Sequence, residues 1–131
     1  WPGTRPDNTS KYIIVGALID GESVRTTGMI VANSTLAIYL RGIGFTDCTY
    51  YGMQIQNCVY VELQCIGVYN SGFTGILLTT CFGFVGYRLG LVKNNTNSDA
   101  NHAGIAFKAV QNGLISSSGL SDNEDQGVLV S

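Results

Sequence analysis

The sequence predicts an all-β protein: a parallel β-helix, or solenoid, with three short strands per coil, about 23–24 residues per coil and roughly five coils. Three observations predict it. Glycines at Gly28, Gly52, Gly75, Gly104 and Gly127 open a recurring unit, with spacings of 24, 23, 29 and 23. Within each unit apolar residues alternate with period two, the period of a strand. No stretch carries helical periodicity with caps, so leucine-rich and ankyrin-type repeats are disfavoured.

The units read GMIVANSTLAIYLRGIGFTD, GMQIQNCVYVELQCIGVYN, GILLTTCFGFVGYRLGLVK and GIAFKAVQNGLISSSGLSD, and a fifth begins GVLVS. From the opening glycine to the closing polar residue is 18 positions in Gly52–Asn70, Gly75–Lys93 and Gly104–Asp122. It is 19 in Gly28–Asp47, and the extra residue is placed near Ser34–Thr35. All large length changes fall in one connecting turn. That turn is short at Asp47–Gly52, Asn70–Gly75 and Asp122–Gly127, intermediate at Asp20–Gly28 and long at Lys93–Gly104.

Each strand follows from its alternation. Met53 and Ile55 alternate with Gln54 and Gln56. Val59, Val61 and Leu63 alternate with Tyr60, Glu62 and Gln64, and Ile66 and Val68 flank Gly67. Three such strands cannot bury their inner faces alone, whereas coils stacked at ~4.8 Å build one continuous core. The expected inward ladders are Met29–Met53–Ile76–Ile105–Val128, Val31–Ile55–Leu78–Phe107–Val130 and Phe45–Val68–Leu91–Leu120. Gly44, Gly67, Gly90 and Gly119 also stack, where the chain is expected to need a positive φ or a close bend. Asn33, Asn57 and Thr80 share a turn column suited to hydrogen bonds along the stack.

Residues 11–131 form the predicted β-helix. Ala17-Leu18-Ile19-Asp20 is aligned with Gly44-Phe45-Thr46-Asp47, which puts Lys11–Asp20 in an earlier coil. Residues 1–10 fit no coil and read as a lead-in segment. Gly127–Ser131 is the first strand of a further coil, so the chain is expected to be a fragment of a longer β-helix or to have that end covered by a partner.

A length of 131 residues suits one domain. Charged residues are 12% and apolar ones 45%, too apolar for a disordered tail. The net charge is −2 and the seven Lys and Arg are scattered, so no nucleic-acid footprint is present. No apolar run reaches the ~18 residues of a membrane span, and no membrane insertion is expected. Cys48, Cys58, Cys65 and Cys81 match no zinc or redox spacing and read as buried thiols. Cys58 and Cys81 share an inward column, and a stacked pair of free thiols is favoured over a disulfide. No metal and no cofactor is implied.

The coil starts Gly52-Met-Gln-Ile and Gly104-Ile-Ala-Phe, the coil ends Gly67-Val-Tyr-Asn and Gly119-Leu-Ser-Asp, and the turn Asn70–Gly75 (NSGFTG) carry a resemblance. The pattern from Lys11 to Ser131 resembles the right-handed parallel β-helices of the pectin-lyase-like superfamily, most of all those of bacteriophage tailspikes. That resemblance implies a homo-oligomer, a trimer, on a virion or otherwise extracellular, which binds a bacterial surface polysaccharide and in some members depolymerises it. Lyases, hydrolases and epimerases of the superfamily, and a non-catalytic adhesive shaft, are the alternatives. No catalytic signature of the superfamily transfers residue by residue.

The outward columns of the middle strands are the most functional-looking surface: Ala37–Tyr60–Gly83–Asn112, Tyr39–Glu62–Val85–Leu114 and Arg41–Gln64–Tyr87–Ser116. Tyr39, Arg41, Tyr60, Glu62, Gln64 and Tyr87 offer aromatic planes for a pyranose face and polar groups for its hydroxyls. Val85 and Leu114 suggest a subunit interface instead. Glycosidic acid–base chemistry needs paired carboxylates, and Asp20, Asp47 and Glu62 are the candidates. Asp20 and Asp47 are expected in one turn column, where such residues ordinarily bond turn backbone. The long turn holds the only histidine, His102, three residues after Asp99, and joins the substrate-binding candidates. Sequons at Asn8, Asn33 and Asn94 are read as chance.

Overall fold

The computed structural model describes residues 13–94, 103–124 and 126–131, and among them it holds β-strands and no helix. The strands are β1 (Ile13–Asp20), β2 (Thr27–Ala32), β3 (Ala37–Thr46), β4 (Tyr51–Gln56), β5 (Tyr60–Gln64), β6 (Gly67–Tyr69) and β7 (Thr74–Thr79). Then come β8 (Gly83–Tyr87), β9 (Gly90–Val92), β10 (Ala103–Lys108), β11 (Asn112–Ser116), β12 (Gly119–Ser121) and β13 (Gln126–Val130). Every pairing is parallel and joins a strand to its counterpart one coil away. One sheet runs β13-β10-β7-β4-β2; the other runs β11-β8-β5-β3-β6-β9-β12, with β1 also on β3. The result is a parallel β-solenoid of about five turns.

The inward ladders pair as the alternation requires. Met29 lies opposite Met53, Met53 opposite Ile76, and Ile76 opposite Ile105. Phe45, Val68 and Leu91 are likewise in register. Met29 and Met53 are 24 positions apart, whereas Ile38 and Val61 are 23 apart. The extra residue of the first unit therefore falls between β2 and the start of β3, around Ser34–Thr35. Ile55, Leu63, Ile76, Leu78, Leu91 and Ile105 are fully buried along the axis. Each such side chain contributes about 1.5–3 kcal/mol relative to exposure, and coil stacking joins these increments into one core.

Three corners turn each coil, and each places one residue in the left-handed region. Asn33, Asn57, Thr80 and Ala109 form the first corner column, with φ of 53–56°. Gly42, Cys65, Arg88 and Ser117 form the second; Asp47, Asn70, Lys93 and Asp122 form the third. A left-handed residue bends the chain at the corner without a long loop, at a cost of about 1–2 kcal/mol for a side chain with a Cβ. Asn and Asp tolerate it best. At Gly42 no such cost arises, and β3 runs through the corner as one strand, pairing β5 with its first half and β6 with its second.

The corners correct several expectations. Asn57 turns Cys58 inward, so Val59 points outward and is 48% exposed; the inward set of β5 starts at Val61. Cys65 occupies a left-handed corner position and is exposed, while Cys48, Cys58 and Cys81 are buried, and all four are free thiols. Gly44, Gly67, Gly90 and Gly119 stack in register, but the positive φ lies two residues earlier, at Gly42, Cys65, Arg88 and Ser117. A Cβ at Gly67, Gly90 or Gly119 would meet nothing within 4 Å. The alignment of β1 shifts by one: Leu18, not Ala17, faces Gly44, and Asp20 faces Thr46, not Asp47.

The unit-opening glycines have a different cause, close approach of backbone. A Cβ on Gly75 would lie 2.5 Å from the Gly104 carbonyl oxygen, and one on Gly28 would lie 2.7 Å from that of Gly52. Each coil's opening carbonyl occupies the space where the previous glycine's side chain would stand.

Candidate functional site

The three outward columns of the middle strands are in the predicted register. Ala37, Tyr60, Gly83 and Asn112 face one another in turn, as do Tyr39, Glu62, Val85 and Leu114, and Arg41, Gln64, Tyr87 and Ser116. Strand alternation projects these side chains away from the core. Tyr39, Tyr60, Glu62, Gln64 and Tyr87 are half-buried and Arg41 is exposed.

The register brings Tyr39, Tyr60 and Glu62 together. The Tyr39 and Tyr60 rings are 6.0 Å apart between centroids and tilted by 53°, within the range of favourable aromatic pairs. The Tyr60 hydroxyl donates to Glu62 Oε2 at 3.3 Å. Burial, then the neighbouring Glu62 charge, pushes the Tyr60 phenol above its ordinary range, so it stays protonated as a donor. Arg41, Gln64 and Tyr87 stand one column nearer the second corner. The Arg88 guanidinium lies 5.0 Å over the Tyr87 ring, a cation–π contact that covers part of it.

Beside Tyr60 the sheet face opens into a groove of about 680 Å³, lined by residues that include Val59, Tyr60, Phe82, Gly83, Asn112 and Leu114. A Cβ at Gly83 would stand 2.9 Å from Tyr60 Cδ2, so the missing side chain lets the ring lean along the stack. Phe82 and Leu114 are each 57% exposed on the walls. Asn112 Nδ2 donates to the Phe82 carbonyl at 3.2 Å, which fixes the amide at the groove edge.

Sequence reasoning identified Tyr60 and its column but missed Phe82 and Val59. The signal was present: each follows an inward cysteine, Cys81 and Cys58, which in turn follows a corner residue. Bulky apolar residues at that outward offset, in two successive coils, mark a wall.

The carboxylate candidates do not gather at one place in the register. Glu62 is on a middle strand, while Asp20 and Asp47 lie near the third corner. Asp20 Oδ1 accepts the Glu22 N–H at 2.8 Å, an ordinary turn bond. Asp47 accepts the Thr46 hydroxyl at 2.6 Å and the Asn70 amide at 2.6 Å. These bonds, Thr46 first, hold its carboxyl below the usual carboxylate range. A general acid on a glycoside needs the opposite shift. His102 and Asp99, the lead-in at residues 1–10 and the Asn8 sequon lie outside the described residues.

The polar turn residues bond along the stack. Asn57 Nδ2 donates to Asn33 Oδ1 at 3.0 Å. A second, internal ladder went unforeseen. Asn94 is fully buried; its Oδ1 accepts the Ser71 N–H at 3.1 Å and its Nδ2 donates to the Val68 carbonyl at 3.1 Å. Asn123 repeats this one coil on, accepting from the Asn94 N–H at 2.9 Å and donating to the Leu91 carbonyl at 3.1 Å. The Asn94 sequon therefore presents no free amide. Burial pushes the Cys81 thiol up, which favours the inert protonated form.

Among the described residues no group of three His, Cys, Asp or Glu side chains stands together to hold a metal. Comparison of the chain with protein families, with curated proteins and with solved structures found no match in any of the three.

Proposed function

We propose that the outward face of β3, β5, β8 and β11 binds a glycan, and that the protein serves as a tailspike-like element recognising a bacterial surface polysaccharide. The observation that carries the reading is the Tyr60 ring leaning over Gly83 beside an open groove, with Tyr39 behind it and Glu62 bonded to its hydroxyl. An aromatic plane with hydroxyl-directed acceptors beside it is the chemistry a pyranose needs. Binding without cleavage is the favoured form, because Asp20 and Asp47 lie near the third corner, away from Glu62 on this face. The test is an array of bacterial surface polysaccharides probed with the full chain. The reading expects binding that Tyr60→Ala weakens about three- to tenfold, in line with an aromatic contact of ~0.5–1.5 kcal/mol. Binding to no polysaccharide, or binding indifferent to Tyr60→Ala, overturns it.

A second reading is a non-catalytic shaft whose subunits, three in the tailspike-like form, meet over this same face. It is favoured by the exposed apolar walls Val59, Phe82 and Leu114. Sedimentation separates the two: the shaft reading expects an oligomer that Leu114→Asp dissociates, and a monomer contradicts it.

A further inference from the structure

We infer that the groove beside Gly83 selects a neutral glycan bearing an apolar substituent, a 6-deoxy or N-acetyl sugar; this rests on the glycan-binding reading of that face. The selection follows from what lines the groove and what does not. Its walls are apolar: Val59, Phe82, Val85 and Leu114. An unsubstituted hexose, hydroxylated at every exposed carbon, would leave Phe82 and Leu114 uncovered or press its hydroxyls against them without partners, which costs free energy. A methyl of a 6-deoxy carbon or of an acetamide covers them instead.

The polar side of the groove is built from two amides, Gln111 and Asn112. Asn112 uses one N–H on the Phe82 carbonyl, which leaves its amide oxygen to accept and its second N–H to donate. Glu62 lies off the lining, but its carboxylate receives the hydroxyl of the lining residue Tyr60 and so sets a negative charge at the groove's edge. Such amides suit the hydroxyl and acetamide groups of a sugar. The Glu62 carboxylate repels a uronate or other sugar carboxylate, and among the described residues no cation lines the groove. Arg25, Arg41, Arg88, Lys93 and Lys108 all lie off its lining. An acidic glycan would thus bring its charge toward Glu62 with no cation of the described lining to neutralise it, a discrimination by repulsion.

The experiment uses the full chain on an array of neutral unsubstituted, 6-deoxy, N-acetylated and uronate oligosaccharides, followed by titration of the ligands that bind. The expected result is about tenfold tighter binding to 6-deoxy or N-acetylated neutral sugars than to unsubstituted ones, the discrimination one methyl-sized group achieves in an apolar pocket. Phe82→Ser, at an exposed wall position, should erase that preference, bringing the ratio of the two affinities from about ten to about one. Binding should change little with salt, since no ion pair is used. Equal or tighter binding of unsubstituted sugars or uronates overturns the inference but leaves the glycan reading standing. Absence of binding to every class overturns both.

Discussion

Asn94 does the work that a turn cannot do with backbone alone. It sits directly behind the corner residue Lys93, and both ends of its amide bind the preceding coil. Removing a buried partner leaves backbone groups unpaired at about 1–3 kcal/mol each. Asn94→Ala orphans the Ser71 N–H and strips the Val68 carbonyl of one of its hydrogen bonds, so the expected loss is about 1–3 kcal/mol in denaturant unfolding. A loss under ~1 kcal/mol would show that the ladder is not a structural support. The sequence carried Asn94 in plain view but inside the motif of a sequon and at the mouth of a long turn, both of which read as surface. Its burial depends on Lys93 adopting a left-handed conformation, and single-residue conformations of non-glycine side chains are not written in composition. Tyr60 and Glu62 were legible for the converse reason: strand alternation alone decides that they point outward.

At the scale of the strand and its coil, two glycine columns of equal regularity have unequal causes. Gly75 is held by contact: a Cβ there would stand 2.5 Å from the Gly104 oxygen and 3.0 Å from the Asn94 amide. Gly67 has open space around the same atom and no positive φ. Gly75→Ala must therefore push β7 from β10 and is expected to cost more than ~2 kcal/mol, in the range of overpacking. Gly67→Ala should be neutral or stabilise by up to ~1 kcal/mol, because a strand loses less entropy with Ala than with Gly. Equal effects in a side-by-side urea titration would contradict the contact account. The repeat period and inward ladders were readable because core burial imposes period two on every coil. The one-residue slip of β1 against β3 was not, because Gly21 and Asp47 replace side-chain pairing with turn hydrogen bonds from Gly21 N–H to the Thr46 carbonyl and from Ser23 N–H to the Asp47 carbonyl.

For the whole molecule, function follows from what stacking does to outward residues. A solenoid converts positions about 23 apart in sequence into neighbours ~4.8 Å apart in space, so Tyr39, Tyr60 and the Gly83 groove become one face only if the register holds. The same register puts Asp20 and Asp47 at a corner away from Glu62, so the three carboxylate candidates do not meet on this face. Parallel register is thus the claim on which fold and candidate site both depend. Nuclear Overhauser contacts on the full chain test it most directly. The account predicts parallel-type contacts between Val61 and Phe84 and between Phe84 and Gly113, with ring–ring contacts from Tyr39 to Tyr60 and from Phe84 to Phe107, whose centroids are 5.4 Å apart. Close Hα–Hα contacts between sequential strands, the mark of antiparallel hairpins, would contradict it.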